Sequence, residues 1–274
     1  MGYKQCLHTH SIFCDGKDTL EQMVQTAIEK GFDSIGFSGH SYMDIYADFS
    51  MDEEKANAYR AEITRLQGVY GNQIKIFCGL EKDNYTKVST DGYDYLIGSV
   101  HCVQYGKTLV FVDWTLDRAL DAIDNVFCGD GLAYAEAYFD AVAELPNYGR
   151  FDILGHFDLV TKFIEKQPDM FDTTHPRYRA AVTRAAEALV GKVRFFEINT
   201  GAISRGYRTS PYPDSFILKE MKRLGFGAVI SSDCHDRNFL DCAYAEAARL
   251  LAEAGFTEHY VLKEEGFVAI PLEV

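Results

Sequence analysis

Apolar and polar positions along this chain alternate between two periods: short apolar runs of strand character, each followed by a stretch whose apolar residues recur every three to four positions. Tyr3–His10 reads as a strand, and Thr19–Lys30 as a helix with Leu20, Met23, Val24, Ala27 and Ile28 on one face. Asp18 or Thr19 can cap that helix, with Glu21 or Gln22 three residues on, and Gly31 stops it. Ser34–Ser38 is the second strand, and Ser50-Met51-Asp52-Glu53 is a capping box opening a helix to about Tyr70. Ile74–Leu80 and Tyr93–Val100 are the third and fourth strands. Helical stretches at Leu116–Phe127 and Leu132–Leu145 precede a strand at Phe151–Gly155. Pro176 suits the first turn of a helix to Val190, and Arg194–Ile198 is the sixth strand. A helix over Asp214–Leu224, a strand over Ala228–Ser232 and a helix over Phe239–Ala254 follow, then short extended pieces.

Strands that alternate with helices imply a parallel sheet. An open sheet gathers its site at one switch point, whereas a closed barrel brings nearly all its strand ends to one rim. The chemistry-bearing residues decide between them. His8 and His10, two apart on a strand, face the same way. His40, Glu81, His101, His156, Asp233 and His235 each fall at or just past the end of an apolar run. So many strand ends converge only on the C-terminal rim of an α/β barrel, and the pattern predicts a polynuclear metal site there.

Composition narrows the reading further. The 274 residues suit one barrel domain over 1–274, with no linker tract or short repeat. A formal charge of −14 disfavours phosphate backbones and anionic membranes as partners, so neither nucleic acid nor membrane is expected. No 18-residue apolar window and no signal-peptide pattern occur, and the expected location is the cytoplasm. Seven cysteines without a C-x-x-C pair argue against a disulfide framework or zinc ribbon. Cys102 and Cys234, each beside a candidate ligand, read as buried thiols turned away from it. His175 and His259 fit no rim position and read as structural or solvated.

Imidazole and carboxylate donors together suit zinc, manganese or iron. Glu81, central among the others, is the natural bridge between two such ions. There is no G-x-x-x-x-G-K-[ST] loop, no G-x-S-x-G elbow, no H-E-x-x-H and no C-x₅-R loop. Metal-activated water is the nucleophile that survives this elimination.

His8-Thr9-His10, Asp15-Gly16, Ser38-Gly39-His40, Gly79-Leu80-Glu81, Ile97-Gly98-Ser99-Val100-His101, Leu154-Gly155-His156-Phe157-Asp158, Glu197-Ile198-Asn199-Thr200 and Ser232-Asp233-Cys234-His235 resemble, in order, the motifs of the polymerase and histidinol phosphatase (PHP) family. The resemblance implies a distorted (β/α)7 barrel, TIM-barrel-like, with two to three divalent transition metals at the C-terminal rim. It implies a first metal on His8, His10, Glu81 and Asp233, a second on Glu81, His101 and His156, and a third on Asp15, His40 and His235. Many relatives carry histidine where this chain has Asp15.

Within the family, a chain of this size resembles the stand-alone histidinol-phosphate phosphatases of histidine biosynthesis. That implies a small-molecule phosphate ester as substrate, with Arg205, Arg208 or Lys162 meeting the phosphate. Glu81, Asp233 and His235 are the expected catalytic residues; Asp233 or His235 is the expected proton donor to the leaving alcohol. The Tyr105–Trp114 loop is a candidate wall for the organic portion. Two alternatives stay open: a PHP phosphoesterase acting on nucleotides or nucleic-acid ends, and a non-catalytic metal-binding module.

Overall fold

A computed structural model describes residues 2–86 and 88–273. Its elements run β1 (Gln5–Cys6), α1 (Leu20–Glu29), β2 (Ser34–Phe37), α2 (Glu53–Tyr70), β3 (Lys75–Asp83), β4 (Tyr95–Ser99), β5 (Cys102–Tyr105), β6 (Thr108–Phe111), α3 (Leu116–Asn125), α4 (Gly131–Glu144), β7 (Ile153–Leu154), α5 (Pro176–Leu189), β8 (Phe195–Asn199), α6 (Gly201–Ser204), α7 (Ser215–Leu224), β9 (Gly227–Ser231), α8 (Tyr244–Glu253), β10 (Glu258–Lys263) and β11 (Gly266–Pro271). Among the described residues, no helix is long and apolar enough to cross a membrane.

The strands β1, β2, β3, β4, β7, β8 and β9 pair side by side in that order, every pair parallel. The ring closes just beyond β1 and β9. There Cys234 N donates to His8 O at 3.1 Å and His10 N to Cys234 O at 2.8 Å. The result is a nearly closed seven-stranded barrel with helices between the strands. Its seam sets His8-Thr9-His10 beside Asp233-Cys234-His235.

The helices form where the apolar stripe and the caps agree. Thr19 caps α1 in a reciprocal box with Gln22, and the buried face is Leu20, Met23, Val24 and Ala27. Asp214 caps α7, and Gly225, at φ 82°, ends it in the left-handed region that glycine tolerates.

Several boundaries differ from the sequence expectation. The cap of α2 is Asp52, which accepts from Lys55 N, and not Ser50. Ser50 lies outside because Met51 is already bridged to Ser41 in an extended pairing. The first ladder is only Gln5–Cys6, and beyond it the chain is held extended by single bonds such as Ser38 N to Thr9 O, 3.0 Å. The third strand runs on to Asp83, and a hairpin, β5–β6, rises after His101 where a loop was expected.

The C-terminal extended pieces form a second hairpin, β10–β11, that covers the N-terminal mouth of the barrel. Leu262 joins Leu7, Phe77, Tyr95, Ile97, Ile153, Phe195 and Val229 in one buried cluster. The Gln5 side chain fastens the hairpin with bonds of 2.8 Å to the Leu262 carbonyl and from its amide. Apolar packing thus dominates the lower barrel, where Gln5 and Ser34 bond each other, and the chemistry-bearing polar side chains gather at its upper rim.

Candidate metal centre

Alternation along the strands aims the rim residues inward. On β3, Glu81 and Asp83 share a face, and on β8 so do Glu197 and Asn199. Glu81 is buried at the centre of the rim. Its Oε2 lies 3.2 Å from His8 Nε2, 3.5 Å from His10 Nε2 and 2.8 Å from His40 Nδ1. Its Oε1 lies 3.4 Å from His101 Nε2 and 3.1 Å from His156 Nε2. Five imidazoles therefore surround one carboxylate.

Asp233 Oδ1 approaches His10 Nε2 at 3.2 Å and His8 Nε2 at 3.6 Å. Asp15 stands on the other side of His10, 3.1 Å from His235 Nε2 and 3.6 Å from His40 Nε2. Three overlapping groups have donor atoms spaced for one ion each: His8, His10 and Asp233; His10, Asp15, His40 and His235; His40, Glu81 and His101. His40 and His10 each belong to two groups, an overlap that strand spacing does not reveal.

The candidate phosphate-binding residues separate. Arg205, on the turn after α6, reaches the centre: Nη2 bonds Asp233 Oδ2 at 2.9 Å, and Nη1 lies 2.9 Å from His235 Nδ1. Arg208 instead turns into the protein. It is buried, donates to Thr161 Oγ1 at 2.6 Å and stands 3.7 Å from Asp158 Oδ2. Lys162 donates to the Asp113 carbonyl at 2.5 Å, and Asp113 lines the cavity above the rim.

Two carboxylates behind the imidazoles were given no role from sequence, although Glu197 opens one of the resembling motifs. Glu197 Oε2 lies 2.9 Å from His8 Nδ1, while its Oε1 accepts from His156 N at 2.8 Å. Asp83 Oδ2 lies 2.8 Å from His101 Nδ1. Such partners fix which ring nitrogen faces the ion. The signal available was the two-residue offset of Asp83 from Glu81. His175 caps α5 by accepting from Arg177 N, and Cys102 and Cys234 are fully buried.

The electrostatics of the centre are those of donors awaiting cations. Burial alone would depress the histidines, but negative neighbours outweigh it: carboxylates at His8, His40 and His101, and at His10 the Cys14 thiol with Asp15 and Asp233. His8 and His40 are raised well above their ordinary value, and His10 and His101 are pushed up to about 10. Against the opposing effect of burial, neighbouring imidazoles hold two carboxyls well below the usual carboxylate range: His8, His40 and His101 act on Glu81, and His235 and His40 on Asp15. Asp233 is held well below it too, by Arg205 and His8 against burial. His235 goes the other way, lowered by burial and by the neighbouring His10. Fit to metal has an independent mark. His8 Nε2, His10 Nε2, Asp15 Oδ1 and Glu81 Oε2 are buried with no hydrogen-bond partner, although native proteins rarely leave such atoms unpaired. All belong to the one rim cluster, and cations would satisfy them together.

A family model described as the PHP domain matches residues 7–201. The chain belongs to the PHP family. The PHP chain is 27% identical over 259 residues to the histidinol-phosphatase of Bacillus subtilis, covering 86% of this chain and 95% of that one. It is likewise 27% identical to the histidinol-phosphatase of Lactococcus lactis, covering 92% and 91%. The solved Lactococcus lactis histidinol phosphate phosphatase, complexed with zinc, L-histidinol and phosphate, has the same fold. Its TM-score is 0.70 at 24% identity, over 97% of this PHP chain and 98% of that chain.

Proposed function

We propose that this chain is a metal-dependent phosphomonoesterase that hydrolyses L-histidinol phosphate to L-histidinol and phosphate, a step of histidine biosynthesis in the cytoplasm. The observation that carries the metallophosphoesterase reading is the buried Glu81 carboxylate with five imidazoles within 3.5 Å. The substrate assignment is supported by relatives of that name aligned along 86% and 92% of the chain.

Two to three divalent ions, with zinc favoured over manganese or iron by the solved relative, would be held by His8, His10, Asp15, His40, Glu81, His101, His156, Asp233 and His235. Such ions supply Lewis acidity at the phosphoryl oxygens and a low-pKa water. The chain's own residues do the rest. Arg205, fixed against Asp233, presents a guanidinium whose paired N–H groups match phosphate oxygens. Arg208, engaged by Thr161 and Asp158, supports the loop that carries Arg205. The departing alcohol oxygen needs a proton. Asp233, held by Arg205, and His235 stand together at the centre, and either would orient a water that delivers it.

The test is metal analysis of purified protein together with kcat/KM on a panel of phosphate esters. At least two divalent ions per chain are expected, and chelation should abolish turnover. Efficiency on L-histidinol phosphate should exceed that on an aryl phosphate or a nucleotide monophosphate by about a hundredfold, equivalent to about 2.7 kcal/mol. Equal efficiency on nucleotides would favour the other phosphoesterase reading. Full turnover without metal would overturn both.

A further inference from the structure

A cavity of about 190 Å³ opens above the metal centre, and its walls differ in chemistry. One wall is the rim itself, with His40, Glu81 and His101. Other lining residues are apolar or aromatic: Met43, Phe49 and Trp114. Trp114 is steadied by the Phe111 ring, 5.0 Å away edge to face, and by the Arg118 guanidinium 4.3 Å above it. Tyr105, at the other end of the hairpin, packs on Phe127 and is not among the lining residues.

Four carboxylates line this cavity: Asp15, Glu81, Asp83 and Asp113. The first three each stand against at least one histidine. Asp113 pairs with none among the described residues and belongs to no metal-spaced group. Lys162 donates to its backbone carbonyl at 2.5 Å, while the ammonium stays 3.6 Å from Oδ2. The lysine thus anchors the backbone at 113 and holds the carboxylate at the wall only in a long ion pair, which a substrate ammonium can share. A loosely paired carboxylate beside a phosphate site still repels an ester that has nothing but its phosphate. It favours one that also carries a cation.

Resting on the function proposed above, we propose that Asp113 binds the ammonium group of the substrate while Trp114 and Phe49 receive its imidazole, so that this wall sets the enzyme's specificity. The amine of histidinol phosphate lies one carbon from the ester methylene, and the ring lies beyond it. An ester seated by its phosphate on the rim would then turn its amine to the carboxylate and its ring to the aromatic residues of the same cavity. Lys162 acts through Asp113 as a positioning residue.

The experiment uses three esters on the metal-loaded enzyme: L-histidinol phosphate, 3-(imidazol-4-yl)propyl phosphate, which lacks the amine, and 2-aminopropyl phosphate, which lacks the ring. For Asp113→Asn, kcat/KM should fall about thirtyfold on both amine-bearing esters, chiefly through KM, as for loss of one partner of a charge pair. The amine-free ester should change less than about threefold. For Trp114→Ala, the loss should follow the ring instead, on L-histidinol phosphate and the amine-free ester. Melting temperature and metal content of both variants should match the parent. An equal loss on all three esters, or no loss on any, would overturn this inference while the parent's activity on L-histidinol phosphate stands. A parent enzyme that turns over the analogues but not L-histidinol phosphate would instead overturn the function on which it rests.

Discussion

Glu197 and Asp83 hold the ring nitrogens that face away from Glu81, at 2.9 Å from His8 Nδ1 and 2.8 Å from His101 Nδ1. Removing either charge frees the imidazole to turn and lowers its basicity as a ligand. Glu197→Gln and Asp83→Asn should each weaken metal affinity about 10- to 100-fold. Competition titration with a chromophoric chelator measures this directly. A second residue-scale prediction follows from the raised histidines. In the metal-stripped protein His10 and His101 keep their protons up to about 10, against an ordinary value of 6.5. Their contribution to stability is therefore complete below the unfolded value and is lost as pH rises through the folded one. The melting temperature of metal-stripped protein should fall as pH rises from about 6.5 to about 10, and less so after zinc is restored. A flat profile without metal would show that these rings carry no such charge.

Single elements decide how closely the barrel wall can pack. Tyr95 on β4 crosses the interior, and its hydroxyl donates to the Leu7 carbonyl. A Cβ on residue 79 would overlap that ring at its Cζ, so glycine on β3 is what lets the aromatic side chain lie there. Gly79→Ala should destabilise the protein by about 1–3 kcal/mol or more through overpacking, measured as a lower denaturation midpoint. Glu81 sits two residues further along the same strand, so metal content should fall with it. The helix pattern was readable at this scale because stripe and cap coincide, as Leu20, Met23, Val24 and Ala27 do with the Thr19–Gln22 box. The β5–β6 hairpin was not. Cys102–Tyr105 and Thr108–Phe111 pair only with each other, and their short runs carry little periodicity.

For the whole molecule, the barrel divides its labour between two ends. Chemistry sits on the rim where strands finish, and the other mouth is stoppered by the β10–β11 hairpin through Leu262. In barrels of this kind the lower face serves stability. Leu262→Ala should cost about 2–5 kcal/mol by leaving a cavity under Phe195 and Val229, as judged by chemical denaturation. Because the hairpin reaches none of the rim residues, kcat/KM of the folded variant should stay close to the parent value.

The sequence by itself determined the barrel and its rim. Alternating periods set strands and helices, and ligands repeated at strand ends require a fold in which those ends meet. Period-two spacing likewise put His8 and His10 on one side, and their rings stand 5.2 Å apart. Only the tertiary structure decided which donors share a neighbour. His40 meets Glu81 as well as Asp15 because the seam and the segment after β2 come within bonding distance, a fact of three-dimensional closure. It alone separated Arg205 from Arg208, three residues apart on one turn, since a guanidinium's direction depends on which buried partner accepts it: Asp233 for the first, Thr161 and Asp158 for the second. Spacing records where a side chain starts; packing and charge settle where its tip goes.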